Sequence, residues 1–389
     1  MLARPKFLIK PDDRFLLPIS FSCGLLPGHN RFAAAAGTSV GTLSSTVETI
    51  HLTGMRLLDD PTLREGNHLK ATSGRDLSFD HPVPRRLVHR SAMSEVFVTD
   101  VHQQEDHLFL VAAQWPRWHV FYGSSSEGYD SALISETLRQ ASILVAHTQL
   151  GVPLSSRFLL PHMEVAKEEV RGPDGGRPAD VTLFVRVSGL KSGSRGATSL
   201  QVDAQFLVEN TVVATASAGA RILNENTYER FRRREVMNPQ ATALPLPVGI
   251  SEAVLGCLSS RNVVLGGSST AGSWVLRVDT SHPIYFDHPI DHVPGALLTE
   301  AARQCIRAFV GQADLDVRSY SARFHKLVEL TAKTTLSVEH VVQRPDGTTS
   351  VGVDFRSAEG ELLARVVAIV PRLGDEPVIS GVGANYLSK

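Results

Sequence analysis

Two segments of the chain carry the same charged pair, a glutamate followed three residues later by an arginine. The pairs are Glu136–Arg139 and Glu300–Arg303, and a glutamine follows each arginine directly. Residues three or four apart lie on one face of an α-helix, so these side chains can act together. The residues around Glu300 are apolar, which predicts a mostly buried helix. Burial tends to raise a carboxyl pKa, which suits a general base for a hydroxyl nucleophile.

The arginines of these pairs suggest a second kind of chemistry. A guanidinium group binds phosphate oxygens through two parallel hydrogen bonds, so Arg139 or Arg303 is a candidate for holding a phosphate. Arg323 and Lys326 are further candidates. The alternative interpretation is structural, because glutamate–arginine pairs at this spacing are common in helices and only weakly stabilising. Both interpretations remain open on the sequence.

Pro294 and Gly295 suit a turn into the helix that carries Glu300. The free backbone N–H groups at a helix start form a positive end, which can polarise a thioester carbonyl or hold an oxyanion. Gly295 and Ala296 are therefore candidate substrate-binding residues, and Gln304 joins them as a neighbour of Glu300. The alternative is that proline and glycine simply begin a helix, as they often do.

A segment rich in carboxylates and imidazoles, DHPIDH, precedes this helix at residues 287–292. We expect no metal there, because its prolines prevent a regular helix and no distant ligand motif completes a site. Asp291 is expected mainly to shape the loop by hydrogen bonding, and both Asp291 and His288 are candidates for positioning a substrate. Cys305 is a weak candidate nucleophile, since no histidine lies near it in sequence.

The charged pairs belong to an internal repeat. Residues 132–142 read ALISETLRQAS and residues 296–306 read ALLTEAARQCI, at a constant offset of 164 residues (300 − 136). Each block lies in the only long helical pattern of its half of the chain. A repeat identifies the unit of folding, here a short strand, one long helix and then several strands.

Alternating apolar residues after each helix indicate antiparallel strands with one face on a core, at residues 180–188, 200–206, 212–220 and 362–370. Pro-Asp-Gly turns occur at residues 173–175 and 345–347. The pattern predicts an α+β class in which one helix packs on one sheet in each repeat. We place a poorly ordered extension at 1–80, the repeats at 81–230 and 250–375, a proline-rich linker at 231–249 and a tail at 376–389.

The composition excludes several classes of protein. The chain has 389 residues, 42% of them hydrophobic, and a net charge of −1, so neither nucleic-acid binding nor a disordered acidic chain is indicated. The three cysteines form no CxxC, which argues against zinc and disulfides and favours the cytoplasm. Because apolar runs are short and residues 15–36 make a poor secretory signal, we expect no membrane association.

The segments YFDHPIDHVPGALLTEAARQ (285–304) and LVHRSAMSEVFVTD (87–100) together resemble the A-factor-type γ-butyrolactone synthase family. The resemblance covers roughly residues 85–372. It implies a tandem hot-dog fold, in which each repeat packs a long central helix on a curved antiparallel sheet. A more distant similarity is to hot-dog dehydratases, whose catalytic histidine aligns with Phe286.

The resemblance implies condensation of a 3-oxoacyl-[acyl-carrier-protein] thioester with dihydroxyacetone phosphate, giving the precursor of a butyrolactone, butenolide or furan signal that controls antibiotic production. The acyl carrier protein supplies phosphopantetheine, so no other cofactor is expected. We predict Glu300 as the base, the helix-start amides at the carbonyl and arginines at the phosphate, with Glu136 and Arg139 in a second or degenerate site. Alternatives are a thioesterase, a dehydratase or a non-catalytic acyl- or lactone-binding regulator. The oligomeric state is not predicted.

Overall fold

A computed structural model of the chain describes residues 76–125, 128–169, 177–193, 196–235, 244–270 and 272–373. The predicted extension falls outside the described residues up to position 75. The predicted tail, the turn at 173–175 and the middle of the predicted linker also fall outside them. No helix in these ranges is long and apolar enough to cross a membrane.

Two long helices carry the repeated charged pairs, as the sequence predicts. Helix α1 (Ser131–Thr148) contains Glu136, and helix α4 (Gly295–Val310) contains Glu300. The side chain of Asp130 caps α1 by accepting a hydrogen bond from the Ala132 N–H, whereas α4 begins after Pro294, which offers no such cap. Shorter helices are α2 (Glu225–Glu235) and α3 (Glu252–Leu255), with 3₁₀ turns at Arg85–Val88, Met93–Glu95 and Ser260–Asn262.

The strands are antiparallel and follow the predicted alternation. The first repeat contains β1 (Val98–Glu105), β2 (Leu108–Trp115), β3 (Ser124–Ser125), β4 (Gly128–Tyr129), β5 (Arg157–Leu159), β6 (His162–Lys167), β7 (Ala179–Gly193), β8 (Gly196–Val208) and β9 (Thr211–Leu223). The second contains β10 (Leu265–Gly267), β11 (Ser273–Leu276), β12 (Ser319–Phe324), β13 (Thr335–Gln343), β14 (Thr349–Arg356) and β15 (Leu362–Val370). Gly347, in the predicted turn between β13 and β14, has φ +80°, which glycine adopts without strain.

The order of strands in the main sheet reads the same way from its middle outwards. It is β1-β2-β7-β8-β9-β6-β12-β15-β14-β13-β11-β10, with β5 paired to β9. Each repeat therefore contributes one half, and β6 and β12 join the halves. At this joint Glu164 lies opposite Ser321, whose hydroxyl donates to the glutamate at 3.1 Å. The arrangement is that of two related units sharing one continuous sheet about an approximate two-fold axis.

Each long helix packs on its half of the sheet and buries apolar side chains there. Leu138 and Leu144 of α1 and Leu297 and Ile306 of α4 are almost completely inaccessible to solvent. They join one core cluster that extends through both repeats. Because packing buries most of each helix, its charged residues must find partners inside the protein.

Candidate active site between the two repeats

Glu136 is held by five hydrogen-bond and ion-pair contacts to three side chains. Arg139 and Gln140 reach it from the same helix, and Arg90 reaches it from the segment before β1, at donor–acceptor distances of 2.6–3.0 Å. Burial alone would raise the pKa of Glu136, but the guanidinium groups of Arg139 and Arg90 outweigh burial and lower it to about 2. Glu136 is thus a permanently charged anchor at neutral pH.

Glu300 has a related but different environment. Its carboxylate accepts hydrogen bonds at 2.7 Å from Arg303 and from Gln304, and the side chain is buried. The second partner of Arg303 is Asp130, whose oxygens lie 3.2 and 3.3 Å from Nη1. The position occupied by Arg90 beside Glu136 is occupied by Cys257 in this copy, judging by the equivalent glutamine bonds to Glu95 and Asn262.

The start of each long helix lies beside the charged pair of the other repeat. Pro294, Gly295 and Ala296 line a cavity together with Glu136 and Arg139. The reciprocal cleft brings Asp130 and Ser131, at the start of α1, to Glu300 and Arg303. The structure therefore brings Gly295 and Ala296 together with Glu136, and it places Glu300 in the other cleft.

The two clefts differ in size. The first, the main cavity, has a volume of about 520 Å³, within the usual range for small-ligand sites. The second, the small cleft, has about 170 Å³. Much of the wall of the main cavity is apolar and comes from strands and helices of both repeats, including Ile143, Phe158, Leu160, Met163, Ala218, Ile284 and Phe324.

One wall of the main cavity is cationic and contains imidazole groups. Arg90, Arg139, His89 and His288 line it. The side chain of Arg139 is 28% exposed, and it uses Nε and Nη2 to contact Glu136 and the Val88 carbonyl. Within the described part of the chain no hydrogen bond engages its Nη1. This guanidinium therefore has a donor available for a ligand, whereas that of Arg90 is fully engaged.

His288 is the residue of this wall best suited to move a proton. Its Nδ1 atom lies 3.5 Å from Oδ2 of Asp287, which is the long end of hydrogen-bonding range. Asp287 is itself fixed, because the backbone N–H groups of Ser91 and Ala92 donate to it at 2.6 and 2.8 Å. Burial, together with the positive charge of Arg139, lowers the pKa of His288, so the ring is neutral at pH 7.

The other predicted site residues have mainly structural contacts. Asp291 accepts hydrogen bonds from Tyr228 and Arg232 of α2, which fastens that helix to the loop before α4, as the loop-shaping prediction anticipates. Gln304 is buried and bonds backbone groups of Asn262 and Val264. Arg323 faces solvent beside Glu164, Lys326 pairs with Glu361, and Cys305 is buried with its pKa raised by burial.

Several residues of the main cavity were missed on the sequence. Arg90 and Asp287 lie in quoted motifs but were given no role, and Tyr285 was not considered. A second repeat carries a usable signal: HVFY at 119–122 and HPIY at 282–285. In both, Nδ1 of the histidine accepts from the backbone of the tyrosine, at 3.2 and 3.3 Å. The hydroxyl of Tyr285 is buried and has no hydrogen-bond partner among the described residues.

Comparison with known proteins gives a consistent result. A protein family described as the A-factor biosynthesis hotdog domain (AfsA) matches residues 71–224 and 239–364, which confirms the tandem hot-dog prediction. A relative from Streptomyces virginiae is 32% identical over 272 residues, covering 70% of this chain and 92% of its own length. Its name is 2-oxo-3-(phosphooxy)propyl 3-oxoalkanoate synthase.

Two further relatives carry the same name. One, from Streptomyces coelicolor, is 34% identical over 249 residues and covers 64% of this chain and 79% of its own. The other, from Streptomyces griseus, is 30% identical over 293 residues and covers 75% of this chain and 96% of its own. Both matches, like the first, extend over most of the relative's length.

Proposed function

Because this chain belongs to the A-factor biosynthesis hotdog domain family, we propose that it transfers a 3-oxoacyl group from an acyl-carrier-protein thioester to the hydroxyl of dihydroxyacetone phosphate. The product is a 2-oxo-3-(phosphooxy)propyl 3-oxoalkanoate, the type of ester in the relatives' name. The reaction belongs to the synthesis of a γ-butyrolactone-type signal. The acyl chain arrives on the carrier's phosphopantetheine.

One observation carries this proposal: the main cavity joins a long apolar wall to a cationic one. An acyl chain requires apolar surface, and a phosphate requires guanidinium groups. Arg90 and Arg139 supply the charge, while Phe158, Met163 and Phe324 are among the residues that supply the apolar surface. A site for an acyl donor alone has no need of the cationic wall.

We assign the proton transfer to His288. The hydroxyl oxygen of the acceptor attacks the thioester carbonyl carbon, so that a C–O bond forms and the C–S bond breaks. The hydroxyl proton passes to Nε2 of the neutral ring, and the ring then returns a proton to the departing pantetheine sulfur. Asp287 holds the other nitrogen, and the long 3.5 Å contact is common in ligand-free catalytic sites.

Tyr285 supplies a hydrogen bond to the thioester carbonyl. A buried hydroxyl without a partner destabilises a protein by about 1–3 kcal/mol, so it calls for an explanation. Tyr285 lines the main cavity, and burial raises the pKa of its hydroxyl well above its ordinary value, which keeps the proton in place. A substrate carbonyl would satisfy this donor. The amides of Gly295 and Ala296, predicted for the same task, remain the alternative donors.

Glu136 and Glu300 are better suited to holding arginines than to accepting protons. Glu136 fixes Arg90 and Arg139 in the cavity wall. Both oxygens of Glu300 are engaged by Arg303 and Gln304, and Glu300 lines the small cleft. The prediction that Glu300 is the base stays a prediction, which the variants described below test.

The activity is tested by mixing the purified full chain with a 3-oxoacyl carrier protein and dihydroxyacetone phosphate and analysing the products by mass spectrometry. We expect the phosphate ester and free carrier thiol in equal amounts. Omitting dihydroxyacetone phosphate should abolish release of the thiol. Free 3-oxo acid identifies a thioesterase instead, an unsaturated thioester from a 3-hydroxyacyl donor identifies a dehydratase, and tight binding without turnover identifies a regulator.

A further inference from the structure

The two clefts are copies of one site, and only one of them contains its own anion. At the offset of 164 residues, Arg303 corresponds to Arg139 and Ala132 corresponds to Ala296. Asp130 corresponds to Pro294 at the same offset. The copies therefore share a guanidinium group and a helix start, but an acidic side chain is present at the second position of only the small cleft.

In the small cleft the carboxylate of Asp130 receives every available donor of the site. Nη1 of Arg303 lies 3.2 and 3.3 Å from its oxygens. The backbone N–H groups of Ala132, at the start of α1, and Gly123 donate to it at 2.8 and 2.9 Å. The side chain is only 4% exposed, so the carboxylate is enclosed by these donors.

In the main cavity the corresponding donors lack that carboxylate. Pro294 stands in the place of Asp130, and the pyrrolidine ring carries no charge or acceptor. Nη1 of Arg139 has no hydrogen bond within the described ranges, and Ala296 lines the same cavity. The cavity has room for a ligand, at about 520 Å³ against about 170 Å³ in the small cleft.

We infer that the phosphate of the acceptor binds in the main cavity between Arg139 and the start of α4, where Asp130 binds in the small cleft. The inference rests on the proposed function for the identity of the acceptor. A phosphate offers more oxygens than a carboxylate and suits both the guanidinium and the helix start. The small cleft holds no phosphate, because Asp130 occupies the anion position and would repel a second anion. The chain thus has one working site.

The experiment is a calorimetric titration of the full chain with dihydroxyacetone phosphate, inorganic phosphate and uncharged dihydroxyacetone. We expect one phosphate-bearing ligand per chain, competition between the two phosphates and no measurable binding of dihydroxyacetone. Arg139→Lys keeps the charge but loses the fork, so it should raise the dissociation constant about tenfold or more. The matched change in the small cleft, Arg303→Lys, should leave this constant unchanged. Thermal melts confirm that both variants are folded.

The outcomes separate this inference from the proposed reaction. Two ligands per chain, no binding to the wild-type chain, or equal weakening by Arg303→Lys would overturn the inference. A fall in kcat for Arg139→Lys with unchanged KM and dissociation constant would also overturn it, because Arg139 would then act on the oxyanion of the acyl carbon. Single-site phosphate binding without formation of ester would support the anion site and contradict the transferase activity.

Discussion

Nδ1 of His288 lies 3.5 Å from Oδ2 of Asp287, a carboxylate whose side chain is 2% exposed and whose orientation two backbone N–H groups fix. The pair stands on the loop before α4, in the wall of the main cavity. The small cleft has no counterpart, because the loop of the first repeat carries serines, Ser124 and Ser125, near this position. The pair is the basis of our first two predictions.

Replacement of the proposed base should remove turnover without unfolding the chain. We expect His288→Gln to lower kcat by roughly 100-fold or more, in the range of general-base losses, with little change in melting temperature because the side chain is 35% exposed. The control is His107→Gln, in the turn between β1 and β2 and about half exposed. Equal kcat for wild type and His288→Gln would rule out the assignment.

The rate should depend on pH with a defined sign. The neutral ring is the active form, and burial with the charge of Arg139 lowers the pKa of His288 below its ordinary 6.5. The kcat should therefore be constant above about pH 6.5 and fall as the pH decreases through the lowered pKa. Asp287, Arg90, Arg139 and His89 are the charged or titratable groups around the ring. An acid limb that persists in His288→Gln would assign it to another group.

The two buried glutamates should differ in their effect on stability. Glu136→Gln leaves two guanidinium groups poorly compensated and should cost about 3–5 kcal/mol of unfolding free energy. Glu300→Gln should cost less, because Arg303 retains Asp130. Urea unfolding and steady-state rates on the same samples decide the matter. Normal turnover by folded Glu300→Gln ends the prediction that Glu300 is the base, whereas a 100-fold loss without destabilisation would restore it and remove His288 from that role.

Acidification should weaken the fold partly through Glu136. Its folded-state pKa of about 2 lies below the ordinary 4.5, so its contribution is complete above pH 4.5 and is lost as the pH falls towards 2. The full contribution is at most about 3 kcal/mol, at 1.4 kcal/mol for each pH unit. Urea unfolding at a series of pH values measures it. A wild-type chain equally stable at pH 5 and pH 2.5 would contradict this prediction.

The hydroxyl of Tyr285 should matter for turnover and little for folding. Because this group is buried without a partner among the described residues, Tyr285→Phe removes an unsatisfied donor and should leave stability unchanged or slightly higher. We expect kcat to fall about tenfold or more if the hydroxyl serves the thioester carbonyl. An unchanged kcat would transfer that task to the amides of Gly295 and Ala296.

Local regularity made much of the fold predictable. The helical and alternating patterns, and the repeat of glutamate and arginine, located α1, α4 and the main strands because each depends on neighbours within one element. The sequence could not show that the start of α4 meets Glu136 rather than Glu300. That relationship depends on the pairing of β6 with β12, which lie about 150 residues apart. Arg90 was missed for the same reason, since its partner lies on another element.

The continuous sheet through β6 and β12 places both halves of this two-fold arrangement in a single polypeptide. In an assembly of two identical subunits, any substitution appears twice, so an aspartate that closes one cleft would close the other. In one chain, position 130 and position 294 are encoded separately. Aspartate at the first and proline at the second, with Arg90 opposite Cys257, are therefore changes that a gene can accumulate independently. Covalent fusion thus permits one half to specialise as scaffold while the other keeps its opening for ligands.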